Sequence, residues 1–288
     1  MPSTTSQRNR NVHGFSLVEL LVVVAVISVL AALVVPALNK GKQKAQGLQC
    51  LSNHRQLVQA WIMYVQDSRD HLPYASSTSS QWTGSEIDKR TWVTGSLDFN
   101  PANTSNWDPD MDIHRSPLWT YSRNLSVWKC PSDHSFVTVN KVDRPRVRSM
   151  SMNLYLGGWG GGDGGWKGYV SDFVIYRKYN ELVRPGYSTI FVFLDMRQDS
   201  VDMGNFAVNM AGYPDNGKLY QFWDLPGFYH HRACGFSFAD GHSEMKRWQD
   251  NRTTPPLKQT TLVNDRFQSP FNPDINWLQF HATRPRKK

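Results

Sequence analysis

Several groups of residues in this 288-residue chain have types and spacings suited to chemistry. Glu19 is the one ionisable side chain in the apolar block from Phe15 to Leu38. A lone carboxylate in hydrocarbon is expensive, so it needs a partner. His230 or His231, together with Asp240 and His242, offers mixed imidazole and carboxylate donors of the kind zinc or a related transition ion takes. The competing reading has Asp240-Gly241 forming a turn and His230 hydrogen-bonding to that loop. Asp108, Asp110 and Asp112 alternate like the first carboxylates of a calcium loop. Ile113 and Trp119, however, stand where such a loop needs Gly and Glu, and the competing reading is a solvated acidic turn. Gly235-Phe236-Ser237-Phe238-Ala239 lacks the second glycine of a nucleophile elbow, and no triad accompanies it.

The elements that must carry these groups begin with the apolar block. At ~1.5 Å per residue its length suffices to cross a ~30 Å hydrocarbon layer as a helix. A secretory signal peptide fits poorly, because the block runs on to Pro36 without a small-x-small cleavage site. A plain anchor leaves Glu19 unexplained. Arg8 and Arg10 precede the block and Lys40, Lys42 and Lys44 follow it, so flanking charge does not decide orientation.

Gly14-Phe15-Ser16-Leu17-Val18-Glu19-Leu20 resembles the type IV prepilin and pseudopilin processing signal. That resemblance implies cleavage after Gly14 by a prepilin peptidase/N-methyltransferase, methylation of the new amine on Phe15, and retention of Glu19. Pro36 falls where helices of that family often carry a proline, which would bend or loosen the helix. In a filament, Glu19 of one subunit would neutralise the Phe15 amine of a neighbour. Such a buried pair sets register more than it adds stability. The resemblance further implies a single-pass inner-membrane protein with a cytoplasmic N-terminus and a periplasmic head. Its expected partners are other pseudopilin subunits, an inner-membrane assembly platform and membrane lipid.

Beyond Pro36, Leu48, Leu51, Val58, Ile62 and Val65 fall on one stripe at a 3.6-residue period. A helix is expected to about Gln66, with Pro73 a firm stop. From Tyr74 the composition changes, since every proline except Pro2 and Pro36 lies at or after Pro73. Short apolar runs at 136–142, 147–152, 173–176 and 189–194 read as strands. Asp240-Gly241 predicts a two-residue hairpin in which Phe236 faces Met245 and Phe238 faces Ser243. Residues 157–168 read as an exposed Gly/Trp loop. The expected organisation is a leader at 1–14, a membrane half-helix at 15–38, an amphipathic half at 39–69 and a β-rich head at 70–288. The fold class is α+β and pilin-like: a long N-terminal helix packed on an antiparallel sheet head with long loops.

Two further segments resemble a subgroup of large pseudopilin-like proteins from planctomycete and verrucomicrobial genomes. One is Cys50-Leu51-Ser52-Asn53 to Gln56-Leu57 with Tyr64 and Asp67; the other is Cys130-Pro131-Ser132-Asp133. His230 followed after nine residues by Asp240-Gly241 matches the C-terminal H-x9-DG motif of the same group. In an oxidising periplasm Cys50 and Cys130 could be bridged, leaving Cys234 free; three buried thiols is the alternative.

A hydrophobic fraction of 40% and a charged fraction of 19% exclude a disordered chain, a coiled coil and a multi-span membrane protein. The 32 basic and 24 acidic residues leave +8. Much of that excess flanks the apolar block or sits at Arg284, Arg286, Lys287 and Lys288. Without a basic stripe interleaved with aromatics, no nucleic-acid partner is expected. No cofactor is expected either, with calcium or zinc as the alternatives named above. The function expected is that of a non-enzymatic subunit of a type II secretion pseudopilus or a type IV pilus-like filament. The alternative is a carbohydrate- or surface-binding module on a pilin-type anchor, using Trp82, Trp92, Trp107, Trp159 and Trp166 as stacking platforms. A membrane-tethered hydrolase lacks a catalytic set.

Overall fold

A computed structural model describes residues 16–162, 172–263 and 266–286. Gly14, Phe15, Trp166 and the two C-terminal lysines lie outside the described residues. The chain separates into two compact units, Met1–Lys44 and Ala45–Lys288. The second unit takes in the C-terminal part of the first helix.

Helix α1, Leu17–Asp67, supplies the described part of the first unit. Its apolar side chains from Leu17 to Leu38 are exposed around the whole circumference. A helix apolar on every side is suited to lipid or to the core of an assembly. Pro36 lies inside the helix.

In the second unit, α1 buries Cys50, His54, Leu57, Trp61 and Val65 along one face. That face is rotated from the expected stripe: Val58 and Val65 are buried, but Leu48 is 61% exposed. Hydropathy misplaced the stripe because its centre runs through polar residues. Asn53, for example, is buried because its Nδ2 donates to the carbonyls of Ser126 at 2.9 Å and Lys129 at 3.2 Å. The helix ends at Asp67, and Arg69 and Asp70 turn the chain away at φ of 54° and 71°.

The remaining helices are α2 (Glu86–Arg90), α3 (Trp119–Ser122) and α4 (Pro273–Ala282). The strands are β1 (Phe136–Val139), β2 (Val142–Pro145), β3 (Met150–Asn153), β4 (Phe191–Asp195), β5 (Asn205–Phe206), β6 (Gln221–Phe222), β7 (Ala233–Phe238), β8 (Ser243–Arg247) and β9 (Phe267–Gln268). The central sheet has the order β5-β3-β4-β7-β8. It is antiparallel except where β5 joins β3 in parallel. This is the expected α+β architecture, with one parallel edge that the sequence reading lacked.

Both faces of the sheet are covered. Met152, Val192 and Phe193 pack in one cluster with Leu57, Val58 and Trp61 of α1. Trp92 and Trp128 stack within that cluster at 5.4 Å, and Trp92 meets Phe193. On the other face, Phe191, Leu194, Phe236 and Phe238 pack with Ile275 and Leu278 of α4. Asn272 caps α4 by accepting from the amides of Asp274 and Ile275, and Pro273 suits the first turn.

Three local expectations need correction. The run 136–142 is the first strand and turn of the β1–β2 hairpin, reversed at Asn140-Lys141 with φ of 51° and 66°. The run 173–176 makes isolated bridges, with Phe173 opposite Pro285 and Tyr176 opposite Leu156. The β7–β8 hairpin pairs Phe236 with Glu244 and Ser237 with Ser243, one residue from the expected register. Its loop holds three residues, Ala239 to Gly241, closed by Phe238 N–H to His242 O at 2.9 Å, with Gly241 at φ 93°. A glycine at positive φ in the last loop position is what a three-residue hairpin needs. Phe236 and Phe238 still share a buried face, because they remain two residues apart.

Within 157–168, Gly157 and Gly158 are buried and Gly160 and Gly161 half-buried, while Gly162 is exposed as expected. A side chain at Gly157 would strike Pro73 O, and one at Gly161 would strike the Tyr74 ring. Residues 163–168 lie outside the described residues.

Candidate functional site

Glu19 sits in the first turn of α1. Its Oε2 accepts the Ser16 amide at 2.8 Å, and Ser16 Oγ accepts the Val18 amide at 3.3 Å. These two bonds cap the helix: they give otherwise unpaired N-terminal amides partners and place a carboxylate at the positive end of the helix dipole. The S-x-x-E spacing was legible in the sequence but went unread. Phe15 immediately precedes Ser16, so an amine formed there would begin one residue from the amide that Glu19 already binds.

The second group of interest is buried in the head. Cys50 comes from α1, Cys130 from the loop before β1, Asp195 from the end of β4 and His230 from the turn before β7. One donor atom from each lies within 4.8 Å of the others. Cys50 Sγ donates to Asp195 Oδ2 at 2.8 Å, and Cys130 Sγ lies 3.1 Å from His230 Nε2. His54, one turn along the helix from Cys50, places Nε2 at 3.4 Å from Asp195 Oδ2. His54 Nδ1 and Nε2 and Asp195 Oδ1 are buried without a hydrogen-bond partner among the described residues.

The electrostatics follow from the packing. Hydrogen bonding with Cys130, then burial, then the Asp195 charge push the Cys50 thiol well above its usual range. Burial also raises the Cys130 thiol above its usual value. Burial acts to raise Asp195, but His54, the Cys50 thiol and His230 outweigh it and hold the carboxyl below its usual value. Burial lowers His230. Both thiols are therefore protonated at neutral pH unless a cation joins them.

His230 is aimed by its own turn. His231 and Arg232 take φ of 53° and 62°, and His230 and Ala233 exchange backbone hydrogen bonds across them at 3.1 and 3.4 Å. Two successive positive-φ residues make a type I′ reversal, costly for non-glycine residues and held by the surrounding structure. His231 is exposed and does not join the cluster. At the far end of β7, a side chain on Gly241 would meet Gln59 Nε2 at 2.6 Å, whereas one on Gly47 would meet His230 Nδ1 at 3.6 Å. The nine residues between His230 and Asp240 thus span one strand with its two turns, and both ends rest on α1.

Residues 9–35 match the prokaryotic N-terminal methylation motif. The chain is 35% identical over 100 residues to the type II secretion system core protein G of Escherichia coli (strain K12). That alignment takes in 35% of this chain, and the chain spans 62% of the relative's length. No solved structure matches the chain.

The other expected sites fall as follows. Asp240 and His242 pair with each other on the exposed hairpin, Nδ1 to Oδ1 at 2.5 Å, and do not meet His230's cluster. The zinc set expected from those three residues is therefore split. Asp110 pairs with His114, while Asp112 is buried against Gly95 and accepts from Thr94 Oγ1 at 3.2 Å. The three alternating carboxylates point to different partners and do not form a calcium cage. Cys50 and Cys130 are brought together, as free thiols, and Cys234 is likewise free and buried. Of the tryptophans, Trp92 is wholly buried, Trp159 packs on the core, and Trp82 and Trp107 lie beneath Arg115 and Arg144.

Asp195 and His54 were missed by sequence reasoning. The spacing Gly47, Cys50, His54 places all three on one helical face and was the available signal for His54. Asp195, at the end of an apolar strand run, had only its burial to mark it.

Proposed function

We propose that the protein is a non-enzymatic pseudopilin- or pilin-like subunit, cleaved after Gly14, methylated at Phe15, and assembled through Glu19 into a type II secretion pseudopilus or type IV pilus-like filament. The observation that carries this reading is the match of residues 9–35 to the methylation motif. The geometry adds two supports. The helix beyond the motif exposes apolar side chains on every side, which calls for lipid before assembly and for neighbouring helices after it. Glu19 stands at the first turn, where a methylated amine of an adjacent subunit would meet a carboxylate.

In this reading the partners are the prepilin peptidase/N-methyltransferase, other pseudopilin subunits, an inner-membrane assembly platform and membrane lipid. The head is periplasmic, and the same helix serves as membrane anchor and filament core. The test is membrane fractionation combined with filament recovery for Glu19→Ala and Glu19→Leu. Both variants are expected to insert in the membrane and to be absent from sheared filaments. Incorporation at the normal level would overturn the assembly role.

A further inference from the structure

We propose that Cys50, Cys130, Asp195 and His230 bind a zinc ion in tetrahedral coordination, tying the C-terminal part of α1 to the sheet and loops of the head. The inference stands independently of processing and assembly.

The donor set selects the metal. Two sulfurs, an imidazole nitrogen and a carboxylate oxygen suit zinc, whereas calcium and magnesium take oxygen shells. Zinc bonds of ~2.3 Å to sulfur and ~2.0–2.1 Å to nitrogen or oxygen place neighbouring ligand atoms roughly 3.3–3.8 Å apart. The observed 2.8 Å between Cys50 Sγ and Asp195 Oδ2, and 3.1 Å between Cys130 Sγ and His230 Nε2, are close to those edges. These two pairs need move apart by less than an ångström, while the wider pairs, all within 4.8 Å, close on the metal.

Each ligand is held from behind. Cys50 is fixed in a helix, and Asp195 closes a fully buried strand. The Cys130 amide donates to Ser149 Oγ at 2.8 Å. His230 is set by the left-handed pair that follows it. Asp195 Oδ1 and both ring nitrogens of His54 are buried without hydrogen bonds among the described residues. A buried carboxylate left in that condition points to a cation. His54, within reach of the carboxylate, is placed to orient it, as outer-shell partners do in metal sites. A pocket of about 620 Å³ lined by Gln49, Asn53, Lys129 and Cys130 gives a route to the site.

The step balances without redox change. Zinc enters as the dication, both thiol protons leave to solvent, and four donor bonds form. The Cys50 proton that now bridges to Asp195 is lost, which frees that carboxylate for the metal. A Cys50–Cys130 disulfide is the competing product. It would leave His230 and Asp195 without a role, and it requires an oxidant.

The test uses full-length protein, extracted in detergent and purified without chelators, with a separate portion alkylated at lysis to trap the state of its thiols. The expected result is about one zinc per chain, as a closed structural site requires. In the zinc-loaded protein Cys50 and Cys130 should be alkylated more slowly than in the chelated protein, while the rate at Cys234 is the same in both states. Cobalt in place of zinc should give thiolate-to-cobalt charge-transfer absorption, retained in Cys234→Ser and lost in Cys130→Ser and His230→Ala. The alkylation comparison needs only the natural sequence, so a variant that fails to fold does not remove the test. A Cys50–Cys130 disulfide in the trapped protein would overturn the proposal. So would reduced protein that takes up neither zinc nor cobalt, or an unchanged cobalt spectrum in folded His230→Ala.

Discussion

Gly235 of β7 lies so close to His54 of α1 that a methyl group on its α-carbon would come within 2.6 Å of the ring Cδ2 and 2.7 Å of Nε2. It would also stand 3.1 Å from Asp195 Oδ2. The strand can approach the helix only because this residue has no side chain, and the fully buried imidazole has no room to retreat. Gly235→Ala should therefore destabilise the protein by about 1–3 kcal/mol through overpacking. Gly41→Ala is the contrasting change. It sits in α1 with nothing within 4 Å of the added carbon, so it should be neutral or stabilise by up to ~1 kcal/mol. Denaturant unfolding of both variants checks the pair. Equal effects would mean that the close approach does not matter.

Acid sensitivity should be traceable to Asp88. Burial acts to raise this carboxyl, but hydrogen bonds from Ser77 Oγ at 2.6 Å and from the Thr83 hydroxyl and amide at 2.6 and 2.7 Å outweigh it and hold it at about 2. Its folded value thus lies below its unfolded value of ~3.9. The stabilisation is present above about pH 4 and is lost as pH falls towards 2. Asp88→Asn should cost about 1 kcal/mol at pH 7, in line with loss of a helix cap, and the difference from the natural protein should vanish near pH 2. Unfolding curves across that range decide it. A difference that stays constant with pH would assign the effect to packing instead.

The tryptophans divide by what covers them. Trp92 is fully buried, stacks on Trp128, and donates its indole N–H to Ala75 O at 3.0 Å and Gly204 O at 2.8 Å. Trp92→Ala should cost about 3–5 kcal/mol. Trp107 lies nearer the surface beneath Arg144, and its removal should cost only about 1 kcal/mol, the scale of an exposed cation–π contact. Melting temperatures of the two variants separate these cases. Comparable losses would contradict the assigned packing.

At Glu19, two roles can be separated by one atom. Glu19→Gln keeps an oxygen that can accept the Ser16 amide but removes the charge. If Glu19 served only to cap α1, the glutamine variant should assemble normally. We predict that it inserts in the membrane yet is excluded from filaments, because neutralising a neighbour's amine needs the carboxylate. Recovery in sheared filaments at the natural level would contradict this.

The sequence disclosed most where one physical cause dominates. The apolar run from Leu17 to Leu38 and the Asp-Gly reversal at Asp240-Gly241 were readable because hydropathy and backbone conformation act there locally. The hairpin register slipped by one because a three-residue loop and a two-residue loop can both end in Gly241. The buried face of α1 was misplaced because Asn53 and His54 are buried by partners contributed from distant segments, and no periodicity of apolar residues records them. The same reason hid the cluster. Cys130 and His230 are separated by 100 positions, and only the fold brings them to 3.1 Å. The split of Asp240 from His230 was equally beyond the sequence, since the two ends of a strand can point a motif's members into different environments.

The central claim is that this chain is processed like a prepilin, and the most direct measurement is the intact mass and N-terminal sequence of the protein extracted from membranes of cells with an active prepilin peptidase. The account predicts a chain that begins at Phe15 and carries a methyl group on its α-amine. A chain that retains Met1 or Arg8 would contradict it and would leave α1 as a simple anchor.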